Sequence, residues 1–484
     1  MRLRLIRPPL AVLTAAGLAG CMVGPNYHRP ALPLAPAYKE QGWSPAQPAE
    51  LDPRGDWWSL FNDPGLSALE ARVAVTNQNV VAAEAAYRQA EALVAEQRAG
   101  LLPTISLDGG VTRSGGGRGG GGTVITQGAG GTGIVASGGG RSATNYRVSA
   151  SASWAPDIWG RIRRSIESAR GNAQASQADL AAATLSAQAT LAADYFDLRE
   201  LDAEAALLRE EVAGFAKSLQ IAQNRYNAGI APHSDALQAQ SQLASTQADL
   251  ADLERRRAAF EHAIAVLTGQ TPEAFALAAE PTWTPSIPGA PAGVPSQLLQ
   301  RRPDVAAAER RAASASAQIG VETAAYFPDL TLTGTYGFSA TELGKLFSAS
   351  NNFWSYGASL AETVFNGGLT HARVRAARAN YDRAVAQYRQ AVLAALQDVE
   401  DQLAASRVLA SEYDLRRQAA ADADLAATMV LNQYREGQVA YTNVVTAQVQ
   451  ALNARRTLLQ AALSRQTTAV ALVQGLGGGW TSPF

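Results

Sequence analysis

Cys21 is the residue whose type and setting point most directly to a covalent modification. It is the single cysteine in 484 residues, so no intrachain disulfide can form. Arg2, Arg4 and Arg7 precede a short run of apolar and small residues from Leu10 to Gly20, closed by Leu18-Ala19-Gly20-Cys21. A basic start, a short apolar stretch and a small-residue cleavage site make a secretory signal over 1–20 ending in a lipobox. The stretch is too short to cross a bilayer as a helix. The expectation is a covalent lipid on Cys21.

Other chemistry-bearing residues give no catalytic reading. His28, His233, His262 and His371 show no metal-ligand spacing. His233-Ser234-Asp235 contains the residue types of a hydrolytic triad, but adjacency in sequence is not the geometry a triad needs. A polar helix start suits those three residues better. Gly131-Thr132-Gly133-Ile134-Val135-Ala136 is similar to a dinucleotide fingerprint, yet no buried strand precedes it and no helix follows. It falls in a glycine-rich stretch from Gly115 to Gly140, expected to be a flexible external loop. The expected activity is therefore non-enzymatic, with no cofactor or metal beyond the lipid.

A net charge of −1 with 17% charged residues argues against a nucleic-acid partner. No stretch after the signal reaches 18 uninterrupted apolar residues. A membrane crossing would have to use strands closed into a barrel, because lipid satisfies no backbone hydrogen bond.

The elements that position these residues are written twice. Tyr226-Asn227-Ala228-Gly229 is followed by Ser234-Asp235-Ala236-Leu237-Gln238-Ala239-Gln240, and Tyr434-Arg435-Glu436-Gly437 by Thr442-Asn443-Val444-Val445-Thr446-Ala447-Gln448. The two tyrosines lie 208 residues apart, which signals an internal duplication. An extended, proline-rich arm is expected over 21–64. A first repeat over 65–270 holds a helix opening at Asn79, strands near 104–112 and 145–154, a long helix over 160–227 and a return helix over 234–269. A proline-rich linker covers 271–303. A second repeat over 304–476 holds a helix opening at Asp304, strands near 329–338 and 353–360, a long helix over 366–436 and a return helix over 442–474. A tail covers 477–484.

The strand segments alternate apolar and hydroxyl residues, as in Ile105, Leu107 and Val111 against Ser106, Asp108 and Thr112. That is the pattern of a transmembrane barrel strand, although a soluble hairpin with one buried face shares it. The long helices carry a heptad stripe, Leu198, Leu201, Ala205, Leu208, Val212, Phe215, Leu219, Ala222 and Tyr226, with an eleven-residue slip before Leu198. In each half, two shorter helices stacked end to end would nearly match the long one. Four strands cannot close around a lumen, which needs about eight or more. Three copies would supply twelve strands and twelve helical columns; two or four are not excluded by counting alone.

The lipobox at Cys21, the Trp57-Trp58…Phe61-Asn62-Asp63-Pro64 segment, the duplicated strand pairs and the two Tyr-x-x-Gly junctions together resemble the TolC-like outer-membrane efflux proteins, the NodT-like lipoprotein branch in particular. The resemblance implies a mainly α fold with a small transmembrane β part: a trimeric twelve-stranded β-barrel, four strands per protomer, continued by a long periplasmic α-helical barrel. It implies the exit duct of a tripartite pump, which exports small molecules across the outer membrane by passive conduction. The partners would be a homotrimer, a periplasmic adaptor, an inner-membrane transporter of RND type and outer-membrane lipid. Met22 after the lipidated cysteine favours the same outer-membrane address by analogy with bacterial lipoproteins. The junctions would form the periplasmic tip, with Tyr226, Asp235, Tyr434 and Asn443 at the gate. Adaptor contact would fall on Gly229, Ile230, Ala231, Gly437, Gln438 and Val439. Asn443 and Thr446 stand where family members commonly carry carboxylates. A protein-secretion duct and a non-conducting coiled-coil scaffold lipoprotein remain the alternative functions.

Overall fold

The computed structural model of the chain describes residues 22–32, 38–40, 56–115, 124–128, 131–135, 143–288 and 301–479. The signal, Cys21, parts of the arm and of Gly115–Gly140, the later part of the proline-rich linker and the last five residues lie outside the described residues. The elements are α1 (Pro64–Thr76), α2 (Gln78–Ala99), β1 (Thr104–Ser114), β2 (Val124–Gly128), β3 (Gly131–Val135), β4 (Ala143–Trp154), α3 (Arg161–Asn227) and α4 (His233–Leu267). The second half supplies α5 (Pro303–Ala324), β5 (Asp329–Ala340), β6 (Asn352–Ala361), α6 (Leu369–Arg435) and α7 (Tyr441–Gly475). They fall into two compact units, one of residues 1–29, 89–173 and 311–385, the other of 30–88, 174–310 and 386–484. Among the described residues, no helix is long and apolar enough to cross a membrane.

The first unit holds a four-stranded antiparallel sheet in the order β1-β4-β5-β6. Directly opposed residues in a sheet share a face, and successive residues alternate faces. The register Leu107↔Ala150, Ala150↔Tyr336 and Tyr336↔Trp354 therefore puts one apolar row across all four strands. One step along, Ser106↔Ser151, Ser151↔Thr335 and Thr335↔Ser355 make a hydroxyl row on the other face. The apolar face is bare in the single chain: Leu107 is 78% and Tyr356 82% exposed. Gly337 on β5 is a close approach, since a Cβ there would sit 2.5 Å from the Val148 carbonyl oxygen. The glycine-rich stretch, expected to be a loop, contains an antiparallel hairpin of β2 and β3, with Val124 opposite Val135. Its few β-formers are diluted by glycine, which hides the alternation.

The arm segment behind Cys21 is fixed in this unit. Arg164 is fully buried and donates from Nε to the Val23 carbonyl at 3.1 Å, and from Nη2 to the Gly24 carbonyl at 3.2 Å and Asn26 Oδ1 at 3.0 Å. Gly24 has φ +95° and lies on Gly320, where a Cβ would meet the Gly320 Cα at 2.4 Å. Met22 packs against Gly160 at the head of α3.

The second unit explains the slip in the heptad stripe. Between Leu185 and Leu198, α3 is buried on several sides by Trp57, Trp58, Phe61, Leu66, Leu69 and Val73. A helix enclosed this way needs no single stripe. Below it, Leu201, Ala205, Leu208 and Phe215 restore the seam against Leu253 of α4 and Leu452 of α7. The short helices are spliced end to end through one side chain. Asn77 Oδ1 accepts the Asn79 and Val80 amides at 3.0 and 3.2 Å, while its Nδ2 donates to the Leu267 carbonyl at 2.9 Å. It caps the start of α2 and the end of α4 at once, satisfying groups that a helix end leaves free. The cap is thus Asn77 and not Asn79, whose amide is one of those received. In the second half Arg302 donates to the Gly475 carbonyl ending α7, at 3.2 Å, and to Asp304 and Asp398. Helix α4 stops at Leu267 because Gly269 (φ +69°) takes the left-handed turn, and Gly367 and Gly368 delay α6 to Leu369 for the same reason.

Glu200 on α3 is 3% exposed, with Asp197 and Glu204 beside it, and feels Arg256 of α4 and Arg456 of α7. Burial first, then the Glu204 charge, push its carboxyl from 4.5 up to about 7. The folded state then holds more protons than the unfolded chain between those values, so stability falls as pH rises across that window. Glu200→Gln should remove about 1–2 kcal/mol of this penalty at pH 8. The check is thermal unfolding at pH 5 and pH 8: the gap between the two should narrow in the variant.

Candidate functional site

The two Tyr-x-x-Gly junctions form the same backbone turn. In the first, the Gly229 amide donates to the Tyr226 carbonyl and the Ile230 amide to the Arg225 carbonyl, both at 2.9 Å. In the second, Gly437 donates to Tyr434 and Gln438 to Gln433, again at 2.9 Å. These paired 5→2 and 6→1 bonds are a Schellman motif, with glycine left-handed at the residue beyond the helix. Gly229 has φ +71° and Gly437 φ +79°. A Cβ at Gly229 would meet nothing within 4 Å, and at Gly437 only the end of Arg225 at 3.8 Å. Alanine there should cost about 1–2 kcal/mol each from backbone strain alone. Thermal unfolding of Gly229→Ala and Gly437→Ala should show similar losses.

Although the turns match, the tyrosines do not. Tyr434 is 3% exposed, in a core with Ala222, Ala236, Ala239, Tyr441 and Val444. Tyr226 is 44% exposed and its ring lies 4.7 Å from that of His233. The difference comes from Arg225. Its guanidinium sits 4.7 Å over the Tyr434 ring, and Nη1 donates to the Tyr434 carbonyl at 3.0 Å and the Arg435 carbonyl at 3.3 Å. Those are carbonyls at the C-terminal end of α6, where a cation is favoured. The Arg225 Nε is buried with no acceptor among the described residues. The Tyr434 hydroxyl donates to Asp235 Oδ2 at 3.4 Å, and burial followed by the Asp235 charge raises its pKa. The Tyr441 ring lies 5.2 Å from that of Tyr434, tilted by 59°, and the Tyr441 hydroxyl is pushed up to about 12, chiefly by burial.

Arg225, Tyr434 and Asp235 thus lock the end of α6 to the first-half turn. Of the residues expected at this place, Tyr434 and Asp235 are brought together. Tyr226 stands apart, and Asn443 is exposed, its amide bonded to the Ala440 carbonyl. Sequence reasoning missed Arg225 and Tyr441. Arg225 was signalled only as a basic residue in the last turn of α3. Ile230 is 67% exposed at the turn, Gln438 is exposed and bonded to Glu436, and Val439 packs beneath.

In the sheet, the second place where charge meets an otherwise hydroxyl-lined surface, Asp108 Oδ2 accepts from Ser106 and Ser151 at 3.3 and 3.2 Å. Arg147 lies 4.5 Å over the Phe353 ring.

The family profile described as "Outer membrane efflux protein" matches residues 69–270 and 294–478. The pyoverdine export outer membrane protein OpmQ of Pseudomonas aeruginosa is 29% identical over 430 residues, 88% of either chain. The cation efflux system protein CusC of Escherichia coli O6:H1 is 25% identical over 476 residues, covering 97% of this chain and 98% of its own. The solved outer-membrane channel OprN superposes with a TM-score of 0.84 at 29% identity, over 95% of this chain and all of its own. Such neighbours are trimeric channels with a β-barrel continued by a helical barrel, and the mainly helical chain with its four-stranded sheet has their fold. Its place is the outer membrane and its role that of an efflux exit duct. A profile match across both halves, joined to this fold, makes the chain a member of the outer membrane efflux protein family.

Proposed function

We propose that three copies of this chain close their sheets into one twelve-stranded barrel, and that the paired turns form the gated periplasmic end of the resulting conduit. The observation that supports this most is the sheet itself, with one bare apolar face, one hydroxyl and charged face, and two free edges at β1 and β6. An apolar face suits lipid and a polar face suits a water-filled lumen, while an unpaired edge cannot face hydrocarbon. Four strands are too few to close alone.

The Arg225–Tyr434–Asp235 lock holds the turns shut in the resting state, and docking of a periplasmic adaptor opens them. Gly229, Ile230, Ala231, Gly437, Gln438 and Val439 make the adaptor surface, with exposed Ile230 as its apolar contact. An inner-membrane transporter of RND type supplies the energy, and the duct itself only conducts small molecules. The names of relatives pair this fold with pyoverdine in one case and cations in another, so cargo is chosen elsewhere in the pump. The chain carries no catalytic role in this reading, and its only attached group is the lipid on Cys21.

Purified lipidated protein should require detergent, migrate as a heat-modifiable trimer and form ion-conducting channels in planar bilayers. A monomer, soluble without detergent and silent in bilayers, would instead fit a scaffold lipoprotein.

A further inference from the structure

Beyond the gated turn, the conduit proposed above has a second selective place, and the sheet register locates it. The polar face carries Thr104, Ser106, Ser149, Ser151, Thr333 and Thr335 with few charges. Asp108 lies opposite Ser149, in the row that continues to Gly337 and Phe353. Arg147 lies opposite Gly110 and Ser339, two residues further along β4, or about 7 Å.

Neither side chain is left to wander. Two serine hydroxyls donate to the Asp108 carboxylate, and those hydroxyls are themselves 2.7 Å apart. Arg147 reaches across β5 to the Phe353 ring on β6, over a row in which Gly337 has no side chain. A guanidinium resting on an aromatic face is held in place without losing its charge. Arg113 provides the contrast. It is two residues beyond Val111 in β1, so it points to the opposite, apolar face.

We propose that in the assembled channel three Asp108 and three Arg147 side chains form two rings of opposite sign in the strand-lined lumen, which set its preference among charged permeants. The Arg147 ring attracts anions and carboxylate-bearing solutes, and the Asp108 ring attracts cations. A water-filled passage with low-dielectric walls focuses such fields, and neither ring's reach exceeds the ~8 Å screening length at physiological salt by much. This inference rests on the trimeric conduit reading.

The test is the reversal potential of single channels under a potassium chloride gradient. Arg147→Gln should shift the cation-to-anion permeability ratio toward cations several-fold, and Asp108→Asn should shift it toward anions. Arg147→Lys should keep the original preference, and Arg113→Gln, the same charge change on the other face, should leave it unaltered. Trimer migration on unheated gels checks that each variant has assembled. Unchanged ratios in assembled, conducting Arg147→Gln and Asp108→Asn channels would overturn the two rings while leaving the conduit intact. An equal shift from Arg113→Gln would overturn them too. Wild-type protein that fails to conduct would overturn the conduit reading itself, and the rings with it.

Discussion

Tyr434→Ala is expected to open the channel. The substitution removes a buried ring from the core beneath the turn, the surface on which Arg225 lies, and the hydroxyl bonded to Asp235. Truncating a buried aromatic residue costs about 3–5 kcal/mol. If roughly half of that separates the closed turn from an open one, the open population should rise on the order of tenfold or more. Tyr226→Ala, from a 44% exposed site whose ring lies 4.7 Å from that of His233, should change little. The measurement is single-channel conductance and open probability in planar bilayers, with trimer stability followed in parallel. Unchanged openings in intact Tyr434→Ala trimers would remove the turn as the gate. Openings equally affected by Tyr226→Ala would deny the asymmetry seen between the two halves.

The second large effect is expected at Gly337. Strands β4 and β5 form the seam where the hairpin of the first repeat meets that of the second, and Gly337 pairs with Ser149 within it. A Cβ at Gly337 would lie 2.5 Å from the Val148 carbonyl oxygen and 2.6 Å from the Ser149 Cβ. Real Cβ atoms do not come that close to backbone, so the strands must part. Gly337→Val should therefore abolish heat-modifiable trimers and bilayer activity. Gly334→Ala, three residues away with nothing within 4 Å of its Cβ position, should retain both. Assembly of Gly337→Val at wild-type levels would show that β4 and β5 are not a tight seam.

Sequence alone located the four strands of the large sheet and the long helices to within a few residues, because prolines and left-handed glycines mark many of their ends, but it missed the β2–β3 hairpin. Pro103 and Pro328 precede β1 and β5, while Gly229, Gly269 and Gly437 close helices. The two-faced sheet was legible because hydroxyl and apolar residues alternate along most of each strand, with exceptions such as Arg113 on the apolar face and Phe353 on the other. What could not be read depends on partners distant in the chain. Asn77 acts as a double cap only because Leu267 ends a helix beside it. The inequality of Tyr226 and Tyr434 comes from Arg225 reaching a helix end 209 residues further along. Identical local motifs give no hint of it. The eleven-residue slip in the α3 stripe was visible, but its cause, the Trp57–Phe61 segment and α1 wrapping that part of the helix, was not.

The most direct measurement is crosslinking between the two free sheet edges. Cys21 is the only native cysteine, and in the proposed lipoprotein its sulfur carries the lipid, so introduced cysteines report cleanly. Leu107→Cys on β1, combined in turn with Trp354→Cys, Tyr356→Cys or Ala358→Cys on β6, scans the apolar face near both edges. Closure of three sheets into one wall requires β1 of one copy to meet β6 of the next. At least one pair should then give disulfide-linked dimers and trimers on reducing-agent-free gels, with nothing larger. Monomers alone across the whole scan, or a ladder continuing past three, would contradict the closed trimeric barrel.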